Sequence, residues 1–246
     1  MIHLSRFLIG IRHTRVFRVR SLSGQIADDL IKVYPKDFVK IEEVPTVNEI
    51  ALSDTDNSLI TKVSIDDIIV ENRKLFDGEK RSYVEVNKLK VINMMKGCLP
   101  VVSKRFELDK DYSRIGMIFE FRIPEFNGIV NENFGKFIYN NFIDFHGQEE
   151  GSEASLRFVY KLQIPGGLVI KDLKDYRNVI VILNQSKGIN EDGKENKCLF
   201  VSIDVQRIFE PMQKVVDVDD HYEFAIDHLQ TVVLPAFKAK GVEINL

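Results

Sequence analysis

Cysteine is scarce in this sequence, which has only Cys98 and Cys198 among its 246 residues. Two thiols are too few for a disulfide framework or for a zinc site with four thiolate ligands. We therefore expect both cysteines to be unpaired and to be buried like other small apolar side chains. This usage favours a reducing, cytoplasmic compartment over secretion.

The sequence also lacks a long apolar segment and a large excess of charge of either sign. Near the start, only Phe7, Leu8 and Ile9 follow one another, which is shorter than the apolar part of a signal peptide. No segment reaches the length of about 20 apolar residues that spans a membrane. The 34 basic and 37 acidic residues give a formal net charge of −3. This balance predicts no membrane partner and no general attraction to nucleic acid, so any contact with a polyanion has to be local.

Motifs for catalysis and cofactor binding are absent as well. The sequence contains no G-x-S-x-G nucleophile motif, no G-x-G-x-x-G dinucleotide motif and no G-x-x-x-x-G-K-[ST] phosphate loop, and each of these carries a defined chemistry where it occurs. We therefore predict no catalytic residue and no cofactor. The sequence favours a binding protein over an enzyme.

A cluster of acids and histidines near the C-terminus has two interpretations. Aspartate and histidine are suitable metal ligands, but no metal-binding spacing such as H-E-x-x-H occurs. Acids at the start of a helix also cap it and complement its dipole. We favour capping and predict no metal site at these residues, which are Asp217, Asp219, Asp220, His221, Asp227 and His228.

Alternation of apolar and polar residues predicts the strands. It indicates a first strand over residues 6–20 and a central strand over residues 115–123, because alternate residues of a strand share one face. Shorter strands are predicted over residues 38–44, 49–53, 59–65, 68–71, 156–164, 179–184 and 198–205. The residues that should share the buried face of the central strand are Ile115, Met117, Phe119 and Phe121.

Helical spacing of apolar residues predicts four helices. The first ends before Pro35, the second ends at Gly97 and Pro100, and the others cover residues 131–147 and 220–240, since proline and glycine are common helix stops. Several antiparallel strands with few helices predict an α+β fold. In such a fold the helices pack on one face of an antiparallel sheet.

The two parts of the chain resemble each other in the order of their elements. Residues 1–108 and residues 109–246 are each predicted to form a strand, a helix, several strands and a helix, in that order. Gly10 and Gly116 each follow an isoleucine in the first strand of their part. This order suggests a duplicated β-α-β-β-β-α unit, which forms either two α+β halves or one continuous domain. The saddle of the TATA-box-binding protein is a fold-level analogue, and that analogy carries no function.

Arginine without acidic neighbours marks the start of the chain. Residues 1–27 contain five arginines and no acid, and Arg12, Arg18 and Arg20 share one parity of the predicted strand. Arginines on one strand face can bind phosphate or carboxylate groups together, so these three are the candidate anion-binding residues. The alternative is that they pair with acids from residues 42–79, which hold ten acids and three bases.

Three short segments carry a resemblance to a known family. They are Arg114 to Gly116 in the central strand, Leu199 to Asp204 in a late strand, and the terminal helix with His228, Leu229, Leu234 and Phe237. In these segments the chain resembles a sporadically distributed family of prokaryotic proteins of unknown function. The resemblance covers most of the chain and implies a prokaryotic origin. It implies no activity, cofactor or catalytic residue.

Three functions are compatible with the sequence. The leading hypothesis is a non-enzymatic cytoplasmic protein that binds a protein partner, or a second copy of itself, through a surface of its sheet. The second is a nucleic-acid or polyanion binder that uses the arginine-rich first strand. The third is an enzyme whose residues come together only in the fold. A cleft with converging polar groups would favour the enzyme, a continuous positive surface the polyanion binder, and an exposed apolar patch a protein partner.

Overall fold

The computed structural model describes residues 4–44, 48–77, 82–123, 125–126, 129–130, 138, 142, 155–163, 174–189 and 195–246. The described strands are β1 (Leu4–His13), β2 (Lys40–Val44), β3 (Glu49–Ser53), β4 (Leu59–Val63), β5 (Asp67–Arg73), β6 (Leu75–Asp77), β7 (Ser82–Val84), β8 (Tyr112–Ile123), β9 (Glu125–Phe126), β10 (Ile129–Val130), β11 (Ser155–Gln163), β12 (Lys174–Ile189) and β13 (Glu195–Gln213). The described helices are α1 (Val19–Val33), α2 (Lys88–Phe106), α3 (Val218–His228) and α4 (Leu234–Lys238), and the π-helical segment Leu229–Val233 joins α3 to α4. The helix predicted over residues 131–147 lies outside the described residues, apart from two single positions.

Nine of these strands form one antiparallel sheet, which confirms the predicted α+β fold. Their order is β11-β12-β13-β8-β1-β5-β4-β3-β2. The two strands at the centre, β1 and β8, come from the two parts of the chain, and Gly10 lies directly opposite Gly116. The remaining strands form two small pairs, β6 with β7 and β9 with β10.

The described helices pack on one face of the sheet, which we call the helix face. On this face the Thr61 hydroxyl of β4 donates a hydrogen bond to the Met94 sulfur of α2, and the ring of Phe7 on β1 contacts that of Tyr222 on α3. The predicted buried face of β8 is confirmed as part of this core. Its fully buried residues are Ile115, Met117, Phe119 and Phe121.

The prediction that Gly97 and Pro100 end the second helix is wrong, because α2 continues through both residues. A side chain at position 97 would overlap the hydroxyl of Tyr34, which follows α1. Glycine therefore serves the close packing of the two helices there and does not mark a helix end. Pro100 removes one backbone hydrogen bond from α2, and burial of Val102 and Phe106 on the next turns offsets this loss.

Both cysteines are free and buried, as predicted. Burial raises the pKa of Cys98 on α2 to about 12, and burial also raises the pKa of Cys198 on β13. Both thiols therefore stay protonated near neutral pH. A protonated thiol is a poor nucleophile and a poor metal ligand, so neither cysteine is a candidate for catalysis.

Candidate functional site

The first strand is shorter than predicted, which separates the candidate anion-binding residues. Only Arg12 lies on β1, whereas Arg18 precedes the first turn of α1 and Arg20 lies within that turn. The prediction that the three arginines share one strand face is therefore wrong. Their contribution to anion binding, from these separate positions, stays a prediction.

Contacts with segments that are distant in sequence fix the path of the chain after β1. The backbone amide of Thr14 donates to the carbonyl of Asp111 at 2.9 Å, and that of Val16 donates to Ile65 at 2.7 Å. These bonds occupy amides between β1 and α1 in place of strand pairing. Phe17, which continues the alternation of β1, is consequently 75% exposed.

Two of the three candidate arginines form ion pairs inside the protein. Arg12 lies beside Asp67 of β5 at 3.2 Å, and this carboxylate raises the pKa of Arg12. This pair matches the alternative prediction, in which acids from residues 42–79 neutralise the first strand. Arg18 pairs instead with Glu107, also at 3.2 Å. These pairs would have to compete with any anion that binds Arg12 or Arg18.

The face of the sheet opposite the helix face carries the other alternate side chains, and we call it the open face. The described helices leave this face uncovered. Because successive residues of a strand point to opposite faces, apolar residues also reach this side. It carries six half-buried isoleucines on five strands, which are Ile60, Ile69, Ile118, Ile180, Ile182 and Ile208.

One part of the open face is neutralised by its own ion pairs. Arg6 lies between two carboxylates, with its Nε 2.6 Å from Glu71 Oε2 and its Nη1 2.9 Å from Glu120 Oε1. Arg73 Nη2 lies 2.5 Å from the other oxygen of Glu71, whose side chain is only 1% exposed. The two arginines cover a carboxylate that would be costly to bury without a partner. The two arginines and the two carboxylates balance each other, so this network leaves no net charge for a ligand.

A second polar group on the open face has unused hydrogen-bonding capacity. Asp204 of β13 lies over the backbone of Gly116, and its Oδ2 accepts a hydrogen bond from Gln206 at 2.5 Å. Its Oδ1 is buried without a partner in the described structure, as is the amide oxygen of Asn178, which lies on β12 opposite Gln206. Burial raises the pKa of Asp204. Buried acceptors are nearly always satisfied, so these two oxygens are exceptions within the described structure.

Three arginines on the open face have no carboxylate partner among the described residues. Arg114 and Arg122 lie near the two ends of β8, and Arg157 lies on the edge strand β11. Arg114 and Arg157 are near enough to Asp204 to oppose the rise in its pKa, but neither forms an ion pair with it. The sequence interpretation missed these residues. The same parity rule that predicted the buried face of β8 assigns Arg114 and Arg122 to its other face.

No protein-family model matches the chain, and no curated protein matches it. Among the described residues, none of the helices combines the length and the apolar character needed to cross a bilayer. The function of the protein is therefore inferred from the chemistry of its own residues.

Among the acids and histidines around α3, Asp217, His221 and His228 bind protein groups, and the position of Asp217 agrees with the capping interpretation. Asp217 caps α3 by accepting a hydrogen bond from a backbone amide of its first turn. His221 Nε2 lies 2.9 Å from the carbonyl of Val205, and His228 Nε2 lies 2.9 Å from the Tyr160 hydroxyl. Within the part of the chain that the structure describes, no three histidine, cysteine or acidic side chains are grouped as metal ligands.

A cleft of about 330 Å³ lies between the end of α1 and the start of α2. Its charged groups are already paired, since Lys90 Nζ lies 2.6 Å from Asp37 Oδ1. Burial raises the pKa of Tyr34 in this cleft to about 12. An acid or base that acts near neutral pH needs a pKa close to 7, so these groups do not support the enzyme hypothesis.

Proposed function

We propose that the protein is a non-enzymatic binding protein whose open face holds an extended segment of another protein. The observation that carries this proposal is the combination of half-buried isoleucines with Arg114, Arg122 and Arg157, which lack carboxylate partners among the described residues. Arginine is enriched in protein interfaces, which combine an apolar core with a polar rim. A partner segment that presents apolar side chains and carboxylates complements both features.

A polyanion such as single-stranded nucleic acid is the second candidate. The same three arginines favour it, because a guanidinium group binds phosphate oxygens in a bidentate manner. Against it, the open face also carries Glu71, Glu120 and Asp204, so its positive charge is not continuous. The described structure therefore offers only separate phosphate contacts.

Removing the three arginines together should weaken binding of an acidic peptide. The probe is a labelled peptide of about 12 residues that alternates glutamate with valine, and single-stranded DNA of equal charge is the comparison. We expect the dissociation constant of the Arg114→Ala, Arg122→Ala, Arg157→Ala variant to be at least about tenfold higher than that of the parent, because each lost charge pair contributes to affinity. Fluorescence anisotropy measures both titrations.

The matched control removes three positive charges from exposed residues outside the sheet, through Lys32→Ala on α1, Lys104→Ala on α2 and Lys240→Ala after the end of α4. This variant should bind the peptide as the parent does. An equal loss in both variants would show that net charge alone attracts the peptide. If the parent binds neither probe at about 100 μM, the proposal is wrong, and tighter binding of DNA would favour the second candidate.

We also propose a cytoplasmic location and an internal duplication. The two free, buried thiols support the first, since such thiols are typical of reducing compartments. The strand order of the sheet supports the second. On one side β1 is followed by β5, β4, β3 and β2, and on the other side β8 is followed by β13, β12 and β11. Gly10 and Gly116 lie opposite each other where β1 and β8 meet. The likeness to a prokaryotic family stays a prediction.

A further inference from the structure

We propose that two copies of the chain associate through the edge strand β2, so that one antiparallel sheet continues across both copies. β2 is the last strand of the nine-stranded sheet, and within the described residues no strand pairs with its outer edge. Such an edge presents unpaired backbone N–H and C=O groups, which are a template for a strand of another chain.

Exposed aliphatic side chains gather at this edge. Ile41 within β2 is 53% exposed, and Val39, which precedes the strand, is 57% exposed. Val33 at the end of α1 is 48% exposed, and α1 packs on the neighbouring strand β3. Pairing of two β2 strands would bury these side chains against those of the second copy. Burial of apolar surface of this kind drives association.

The charges of β2 are complementary to those of a second β2 strand that runs in the opposite direction. With Ile41 opposite the same residue of the second copy, Lys40 lies opposite Glu42 of the partner subunit. Residues that lie directly opposite share a face of the sheet, and opposite charges at such positions stabilise the pair. Because the contact has two-fold symmetry, this ion pair occurs twice.

Both charged side chains are available for this contact. Lys40 and Glu42 are exposed. The Lys40 ammonium group donates one hydrogen bond to the carbonyl of Thr55, and it has three donors in all. Two donors therefore remain for a carboxylate of the second copy.

The opposite edge of the sheet lacks this complementarity. On β11, Arg157 and Lys161 lie on the same face, opposite Ile182 and Asn178 of β12. Two β11 strands paired with each other would bring four basic side chains to one face, and like charges at close positions repel. The β2 edge is therefore the one that suits a second copy.

The geometry of this dimer has a consequence for the open face. A two-fold axis that pairs antiparallel edge strands runs perpendicular to the sheet. Both open faces therefore lie on the same side of the dimer. A long partner segment, or two linked segments, can then contact both copies, which raises the effective concentration of the second contact.

Exchanging the two charges tests this association. One pair of short strands buries less area than a standard interface, which buries at least about 1,200 Å². The dimer should therefore be weak, and sedimentation equilibrium should cover about 5 to 500 μM protein. We expect the parent to dimerise in this range. Lys40→Glu alone and Glu42→Lys alone each create two like-charged pairs in their own dimers. Each should raise the dissociation constant at least about tenfold.

Two further samples should restore the dimer. One is the double variant Lys40→Glu, Glu42→Lys, and the other is an equimolar mixture of the two single variants, in which opposite charges meet again. Both should return to within about threefold of the parent dissociation constant. Arg157→Glu on β11 is the control and should leave it unchanged.

Three results would overturn the proposal. One is a parent that is monomeric at every concentration, and another is a dimer that the single variants leave intact. The third is a dimer that the single variants weaken but that neither the mixture nor the double variant restores. Since both substituted side chains are exposed, far-UV circular dichroism should show the same fold in all samples.

Discussion

Replacing Phe119 with alanine should lower the free energy of unfolding by about 3–5 kcal/mol. Phe119 is fully buried on the helix face of β8, and its ring centroid lies 4.9 Å from that of Phe7 on the neighbouring strand. The Phe7 ring in turn contacts Tyr222 of α3. Because both strands are central in the sheet, their backbones cannot close the cavity that the substitution leaves.

Urea unfolding followed by circular dichroism measures this loss. Ile118→Ala is the matched control, since Ile118 is the neighbouring residue and its half-buried side chain points to the open face. We expect this substitution to cost less than half as much. An unchanged urea midpoint for Phe119→Ala, or equal losses for both variants, would contradict the assignment of the two faces.

Lowering the pH from 7 to 4 should destabilise the protein, and His221 alone should account for about 3 kcal/mol of the loss. His221 is fully buried between α3 and β13, and burial lowers its pKa to about 4. The nearby cations Arg177 and Arg207 also oppose its protonation. One hydrogen bond, from the ring to the carbonyl of Val205, holds the neutral imidazole in place.

The sign of this effect follows from proton binding in the two states. In the unfolded chain, a histidine binds its proton near pH 6.5. In the folded protein, His221 binds it only near pH 4. The unfolded state therefore holds more protons between these values, so the contribution of His221 to stability is complete above pH 6.5 and is lost as the pH falls towards 4.

Urea unfolding of the parent and of His221→Leu at pH 7 and pH 4 measures this contribution. The carboxylates, His13 and His228 titrate in both proteins, so their effects cancel in the comparison. We expect the variant to lose about 3 kcal/mol less than the parent over this range. His221→Gln, which can still donate to Val205, is a second variant in case the leucine variant does not fold. Equal losses in parent and variants would contradict the buried, neutral state of His221.

Alternation was sufficient to predict the central strand and its buried residues. Every second residue of β8 from Ile115 to Phe121 is apolar, and a half-buried strand needs no further information. The end of β1 and the length of α2 were not predictable in this way. After β1, the amides of Thr14 and Val16 bind the carbonyls of Asp111 and Ile65, which are distant in sequence. α2 continues past Pro100 because its later turns pack into the core.

The candidate site was harder to predict because it depends on register. Arg12 is neutralised because the pairing of β1 with β5 brings it opposite Asp67. Its other neighbour across the sheet is Arg114, which has no carboxylate partner among the described residues. Local sequence does not distinguish these two arginines, since each lies on the polar parity of an alternating strand. Only the strand order assigns one of them an acid.

Methyl NMR of isoleucine tests the proposed role of the open face most directly. Its isoleucines serve as reporters there, and those of the helix face serve as internal controls within the same spectrum. The reporters nearest Arg114, Arg122 and Arg157 are Ile118, Ile180, Ile182 and Ile208, and the buried controls are Ile9, Ile11, Ile68, Ile115 and Ile203.

On addition of the acidic peptide, we predict shift changes at the methyl groups of these open-face isoleucines and none at the buried controls. The changes should be lost in the Arg114→Ala, Arg122→Ala, Arg157→Ala variant. Saturating peptide that leaves the open-face methyl groups unchanged, or that shifts only methyl groups elsewhere, would contradict the account.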